Sequence, residues 1–117
     1  RALGMIVTCL SPEKHDEAVA HISHLPHMLA AALASYLEQQ HNSWKALAGG
    51  GLRDTSRIAA GDPALWCQIF EHNQEEVIRA ISGFEEELHL FKSSLLNKDN
   101  QSLHKQLKRG KQFRDQL

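Results

Sequence analysis

Eight histidines in 117 residues are more than packing alone usually calls for, and four of them, His15, His21, His24 and His27, fall in one short stretch. The run His21-x-x-His24-x-x-His27 brings imidazoles onto adjacent helical turns, and neutral imidazole is the commonest zinc ligand. At ~100° per residue His21 and His24 occupy neighbouring positions of one helical face. Pro26 tilts the next turn, so that His27 can converge with His24. Three readings stay open: a metal site, histidines satisfied by packing or solvent, and hydrogen-bond donors to a ligand held at the helix break. A catalytic zinc site also needs oriented partners or a companion carboxylate motif, and none stands beside this run.

A second constellation follows at Gly49-Gly50-Gly51 and Arg53, Asp54 and Arg57. Glycine lets backbone approach a ligand closely, which makes Gly50 a candidate. Arg57 lies three residues after Asp54 on one short helical segment, so the carboxylate can orient the guanidinium while its planar fork stays free for a substrate carboxylate. A small dianion suits this arrangement, although spacing alone is equally met by a solvated surface loop. A phosphate loop is excluded, because no Lys-Ser/Thr pair follows the glycines and no strand precedes them. Trp66 is read as core, or as an apolar wall beside the arginine. Cys67 is read as an inert buried thiol, and His41, His72, His89 and His104 as surface residues.

These groups need helices to position them. Ser11, Pro12 and Glu13 supply an N-cap, a first-position proline and a dipole partner, so a helix starts there. Pro26 lacks an amide hydrogen and pushes Leu25 out of the α region, which predicts a break or kink. Helical spacing resumes from His27 to about Gln40. The triple glycine reads as a flexible elbow, with a short helix after it. Asp62-Pro63 starts a helical pattern reaching to about Asn97, supported by a Glu75–Arg79 pair. Unbroken, it would measure about 52 Å at ~1.5 Å per residue, against a radius of gyration near ~13 Å for a compact chain of this size. It therefore kinks, at Asn73 or Gly83, or projects and needs a second copy to cover Phe84, Leu88 and Phe91. A homodimer is expected. The tail from Asp99 to Leu117 is helical, interrupted or frayed near Gly110. Residues 4–10, continuous and apolar, read as one strand buried on both faces, and a lone strand must pair with something outside the domain.

The expected class is thus all-α, a domain with long kinked helices over 11–117, plus one leftover N-terminal β-strand within 1–10. A formal net charge of -1 disfavours bulk nucleic-acid binding. No apolar run approaches the ~20 residues that cross a bilayer, and nothing reads as a signal peptide. Cys9 and Cys67 show no CxxC spacing, consistent with reduced thiols in cytoplasm.

Three motifs together resemble the prephenate and arogenate dehydrogenase family. They are His15-Asp16 with Ile22-Ser23-His24-Leu25-Pro26-His27, then Gly50 through Ala59, then Asp62-Pro63-Ala64-Leu65-Trp66. The likeness covers nearly the whole chain, with Leu52 and Ser56 as mild departures where an aromatic and a threonine are common. It implies the C-terminal helical dimerisation and substrate-binding domain, with 1–10 as the terminal strand of a missing dinucleotide-binding domain that carries the catalytic histidine. The complete enzyme would use NAD or NADP to decarboxylate prephenate, or its amino analogue arogenate, oxidatively in the route to tyrosine. No G-x-G-x-x-G follows a strand here, so this chain by itself is expected to bind no cofactor and to be inactive. By the same resemblance Arg57 grips a carboxylate, His27 and His24 donate to substrate, Asp54 holds the arginine, Trp66 packs beside the ring and Gly50 supplies backbone proximity. No catalytic residue and no metal ligand is expected. The alternative is a stand-alone helical metal-binding or dimerisation module built on His21, His24 and His27.

Overall fold

The computed structural model describes residues 10–117. The strand expected at 4–10 lies outside the described residues except for Leu10, which sits in a bend, and Cys9 lies outside them as well. Among the described residues every regular element is helical: α1 (Pro12–Val19), a π-helical turn (Ala20–His24), α2 (Leu25–Glu38), a 3-10 turn (Asn42–Leu47), α3 (Gly50–Ser56), a second 3-10 turn (Arg57–Ala60), α4 (Pro63–His72), α5 (Gln74–Leu96) and α6 (Asn100–Asp115).

The helix start at Ser11 forms as its residue types dictate, with the Ser11 hydroxyl accepting the Lys14 amide at 3.2 Å and Pro12 in the first turn. Pro26 does not break the helix. Leu25 keeps α-helical torsions, φ -61° and ψ -48°, and its amide donates to the Ala20 carbonyl five residues back. One residue inserted into the turn just before the proline changes the hydrogen-bond register, so that the chain takes up the missing donor without leaving the helical region. The triple glycine is likewise not a free elbow: Gly49 caps α3, and Gly50 and Gly51 form its first turn.

The chain divides into two compact units, the first running to Ala80 and the second comprising Ile81–Leu117. In the first, the described core is made of small residues, Ala20, Ala30, Val77 and Ala80, with His27 as the large polar side chain buried among them. The 3-10 turn at Arg57–Ala60 and helix α3 both pack along α2. The break foreseen at Asn73 is present: its torsions, φ -127° and ψ 33°, end α4, and its carbonyl accepts the Val77 amide to begin α5. Gly83 causes no interruption, since α5 runs continuously through it. Arg79 pairs with Glu76 and not with Glu75, because the i,i+3 neighbour lies within reach of the guanidinium. Cys67 is exposed, not buried, since it falls on the side of α4 away from the packed Trp66 and Phe70.

The second unit is a hairpin of the later part of α5 with α6. Helix α5 ends in a Schellman closure: the Lys98 amide donates to Leu95 and the Asp99 amide to Ser94, with Lys98 in the left-handed region at φ 53°. Asp99 immediately caps α6, accepting the Ser102 amide at 3.0 Å and its hydroxyl at 2.7 Å, and these donors hold its carboxyl below the usual carboxylate range. The buried Ser94 hydroxyl donates to Gln106 at 3.0 Å across the hairpin. Helix α6 continues through Gly110 without interruption. A single glycine costs only about 1 kcal/mol in a helix interior, and the surrounding turns outweigh it.

The left-handed Lys98 supplies a test of the closure. A non-glycine residue there costs ~1–2 kcal/mol, partly offset because glycine also loosens the unfolded chain by ~0.4–1 kcal/mol. Lys98→Gly should therefore raise the stability of the chain by roughly 0.5–1 kcal/mol in urea unfolding. A loss of stability would show that the closure is not formed as described.

Candidate functional site

The densest convergence of the nominated residues forms between α2 and α4. Trp66 and Phe70 lie four residues apart on α4 and make one aromatic wall, with ring centroids 5.6 Å apart. His27 stacks on Trp66 with centroids 3.6 Å apart and an interplanar angle of 14°. His24 meets the same wall edge-on, 6.4 Å from Trp66 and 6.3 Å from Phe70. Pro63 sets the start of α4 and the Asp62 side chain accepts the Ala64 amide, so the angle at which the wall enters is fixed by a local cap.

Gly61 closes this arrangement from the 3-10 turn. A β-carbon there would stand 2.9 Å from the Trp66 indole nitrogen and 3.0 Å from the His27 ring. Its torsions, φ -61° and ψ 158°, are open to any residue, so glycine is required for space and not for conformation. Because Gly61 directly follows Arg57–Ala60, its contact with the stack also fixes the turn that carries Arg57.

His24 is held from a third direction. The Asn73 amide nitrogen donates to the Asp16 carbonyl at 2.8 Å and lies 3.5 Å from His24 Nδ1. Burial against the wall holds the His24 pKa below the ordinary imidazole value, against the opposing pull of the Asp16 carboxylate. At neutral pH this ring is an uncharged donor and acceptor.

His24, His27 and Trp66 are thus brought together, and Arg57 is exposed on a turn packed along α2, the helix that carries His27 and directly follows His24. Asp54 and Gly50 lie exposed on α3. The Asp54–Arg57 pair expected from their spacing is not made: among the described residues neither enters an ion pair. Arg57 belongs to the 3-10 turn and Asp54 to α3, and both side chains are exposed to solvent. The three-histidine cluster does not assemble either. His21 is exposed and its Nδ1 bonds the Glu17 carbonyl at 2.9 Å, while the His27 ring face is covered by Trp66. Among the described residues no three His, Cys, Asp or Glu side chains gather to hold a metal ion. Gly61, Phe70 and Asn73 were not nominated as site residues. Phe70 was legible as the i+4 partner of Trp66, whereas the roles of Gly61 and Asn73 arise from contacts distant in sequence.

Another concavity of the first unit, of about 490 Å³, is lined by Glu13, Asp16, Glu71, Glu75 and Glu76 with His72, Asn73 and Gln74. Its charge is unsuited to a dianion.

Residues 11–109 match the family model described as prephenate dehydrogenase, dimerization domain. Prephenate dehydrogenase of Bacillus subtilis (strain 168) is 33% identical over 111 residues, an alignment covering 92% of this chain and 30% of that protein. The crystal structure of Synechocystis arogenate dehydrogenase superposes with a TM-score of 0.86 at 31% identity, covering 92% of this chain and 40% of that one. Prephenate dehydrogenase from A. aeolicus, solved in complex with hydroxyphenyl propionate and NAD+, gives a TM-score of 0.84 at 36% identity over 92% of this chain and 38% of that one. The chain therefore spans only 30 to 40% of the length of these relatives.

Two outcomes test the geometry. Gly61→Ala places a methyl group against two rings that cannot both withdraw, and should destabilise the chain by about 1–3 kcal/mol. Ring-current shifts of the His27 protons should change with it; an unaltered spectrum and unfolding midpoint would refute the close approach. The second concerns pH. With its folded pKa below the unfolded value of 6.5, His24 contributes stability that is complete above that value and is lost as pH falls through it, because the unfolded chain takes up the proton first. Unfolding measured from about pH 7.5 down to about pH 5.5 should show the wild type losing stability relative to His24→Gln. A difference independent of pH would count against the burial of His24.

Proposed function

The chain belongs to the prephenate dehydrogenase dimerization-domain family, and from that premise we propose that it is the C-terminal helical domain of a prephenate or arogenate dehydrogenase. The complete enzyme would carry out NAD(P)-dependent oxidative decarboxylation of prephenate to 4-hydroxyphenylpyruvate, or the matching reaction of arogenate, in tyrosine biosynthesis. This domain would supply dimerisation and the grip on the substrate's carboxylates and would be inactive alone. The observation that carries the reading is the family match over residues 11–109.

The side chains support a positioning role. The Arg57 guanidinium, exposed and free of Asp54, offers a planar fork to a carboxylate. His24 is neutral and can donate a hydrogen bond without adding charge, and His27 is buried with one ring face against Trp66. Trp66 and Phe70, inclined at 46° to one another, give an apolar wall beside which a six-membered ring could lie. Asp54 and Gly50, on α3, would line the approach to Arg57. Held geometry of this kind lowers the barrier by orienting the reacting atoms.

The described residues hold no strand leading into a glycine-rich turn, the element that cradles a pyrophosphate. We assign the hydride step to a separate nucleotide-binding domain, as the family resemblance implies, and none of it is derived from these side chains.

Dimerisation agrees with the surface. Among the described residues no large side chain is fully buried, while Leu47, Ile22 and Leu96 are 82%, 69% and 70% exposed. Apolar area of this extent is what a second copy of the chain would cover. Among the described residues no helix is long and apolar enough to cross a membrane.

Joined to a family nucleotide-binding domain, the chain should support prephenate-dependent reduction of NAD or NADP. Arg57→Ala should then lower kcat/KM by at least about 100-fold, since an unpaired substrate carboxylate loses its main partner. Wild-type efficiency in that variant would remove Arg57 from the site.

A further inference from the structure

We propose that Asn73 is a positioning residue that locks His24 in the tautomer with Nδ1 unprotonated and Nε2 carrying the hydrogen, so that His24 meets its ligand as an Nε2–H donor. This deepens the substrate-site reading above and rests on it for the identity of the ligand alone.

The argument starts from the Asp16 carbonyl. A carbonyl oxygen only accepts, so the Asn73 atom 2.8 Å from it must be the amide nitrogen; the flipped amide would set two acceptors against each other. That bond uses one amide hydrogen. The other is available to His24 Nδ1, 3.5 Å away, and only a nitrogen with a free lone pair can receive it. Nδ1 is therefore the acceptor, and in a neutral ring the hydrogen falls to Nε2. Protonating Nδ1 would place two donors face to face, a cost that acts in the same direction as the burial already holding this ring neutral. Asp16 is the charged group that acts on the ring in the opposite sense, and it acts from α1, where its own main chain anchors Asn73.

Asn73 can serve in this way because it ends one helix and begins another. Its torsions, φ -127° and ψ 33°, lie outside the helical region and direct the side chain across to α1 and the π-helical turn, 57 and 49 residues earlier in the sequence. A residue inside either helix would keep its side chain on the helical face. His21 shows the contrast, since its Nδ1 bonds the Glu17 carbonyl of its own helix, which fixes that nitrogen as a donor.

Nitrogen-15 NMR of the histidine rings in the full chain tests this directly, because the two ring nitrogens of a neutral imidazole resonate differently when protonated and unprotonated. In the wild type near neutral pH, His24 should show an unprotonated Nδ1 and a protonated Nε2. Asn73→Leu, similar in size but without a donor, should lose the single tautomer and give an average of both. Asn73→Asp, an acceptor, should turn the ring to Nδ1–H. A wild-type His24 with the hydrogen on Nδ1 would overturn the proposal without recourse to any variant, as would an unchanged tautomer in a folded Asn73→Leu. Titrating the wild type with hydroxyphenyl propionate separates the two readings. A protonated Nε2 that shifts on titration supports both, whereas the expected tautomer with no shift upholds Asn73 and counts against the substrate site.

Discussion

The stack of His27 on Trp66 is the contact on which the first unit depends. The described core there otherwise consists of alanines and one valine, which let helices approach closely but bury little area each. An imidazole face on an indole face at 3.6 Å gives that core its largest flat contact, and Gly61 is glycine because nothing larger fits above it. Stability and the proposed binding geometry would therefore draw on the same side chains. A ring held by a core contact cannot wander between rotamers, which is the condition for orienting a ligand.

The same economy of core fits the proposed association. Large apolar side chains remain exposed in both units, among them Ile22, Trp44 and Leu47 in the first and Leu88, Leu95 and Leu96 in the second. A chain whose interior is lined by alanine leaves its larger hydrophobic residues for surfaces that another copy can cover. Membership in a family of dimerization domains gives that surface a purpose. The acidic concavity beside Asn73 has no such rationale, and the structure supplies no ligand chemistry for it.

Much of the local structure was legible because it is written in short-range chemistry. Ser11-Pro12 and Asp62-Pro63 start helices by capping and fixed φ, and both do so here. Asn73 ends a helix as foreseen. The errors share one cause, which is that single-residue rules were given more weight than the turns around them. Pro26 was expected to break or kink a helix that a π-helical turn carries through, Gly83 was offered beside Asn73 as a kink site but α5 runs through it, and α6, expected to be interrupted or frayed near Gly110, runs on. In each case neighbouring hydrogen bonds outweigh a penalty of a few kcal/mol at most.

For the site, the sequence by itself determined which residue types were available and roughly where: two histidines flanking a proline, an arginine after a glycine-rich segment, and a tryptophan in the first turn of a helix. It also carried the family resemblance, because motif order and spacing are properties of the chain alone. Only the tertiary structure decided which of these meet. His24, His27 and Trp66 converge and His21 does not, since an inserted residue in one turn changes which face each imidazole occupies. Asp54 and Arg57, close in sequence, make no ion pair. Gly61 and Asn73 gain their roles from residues far away in the chain, and a contact between distant segments is set by how helices pack, which no local pattern records.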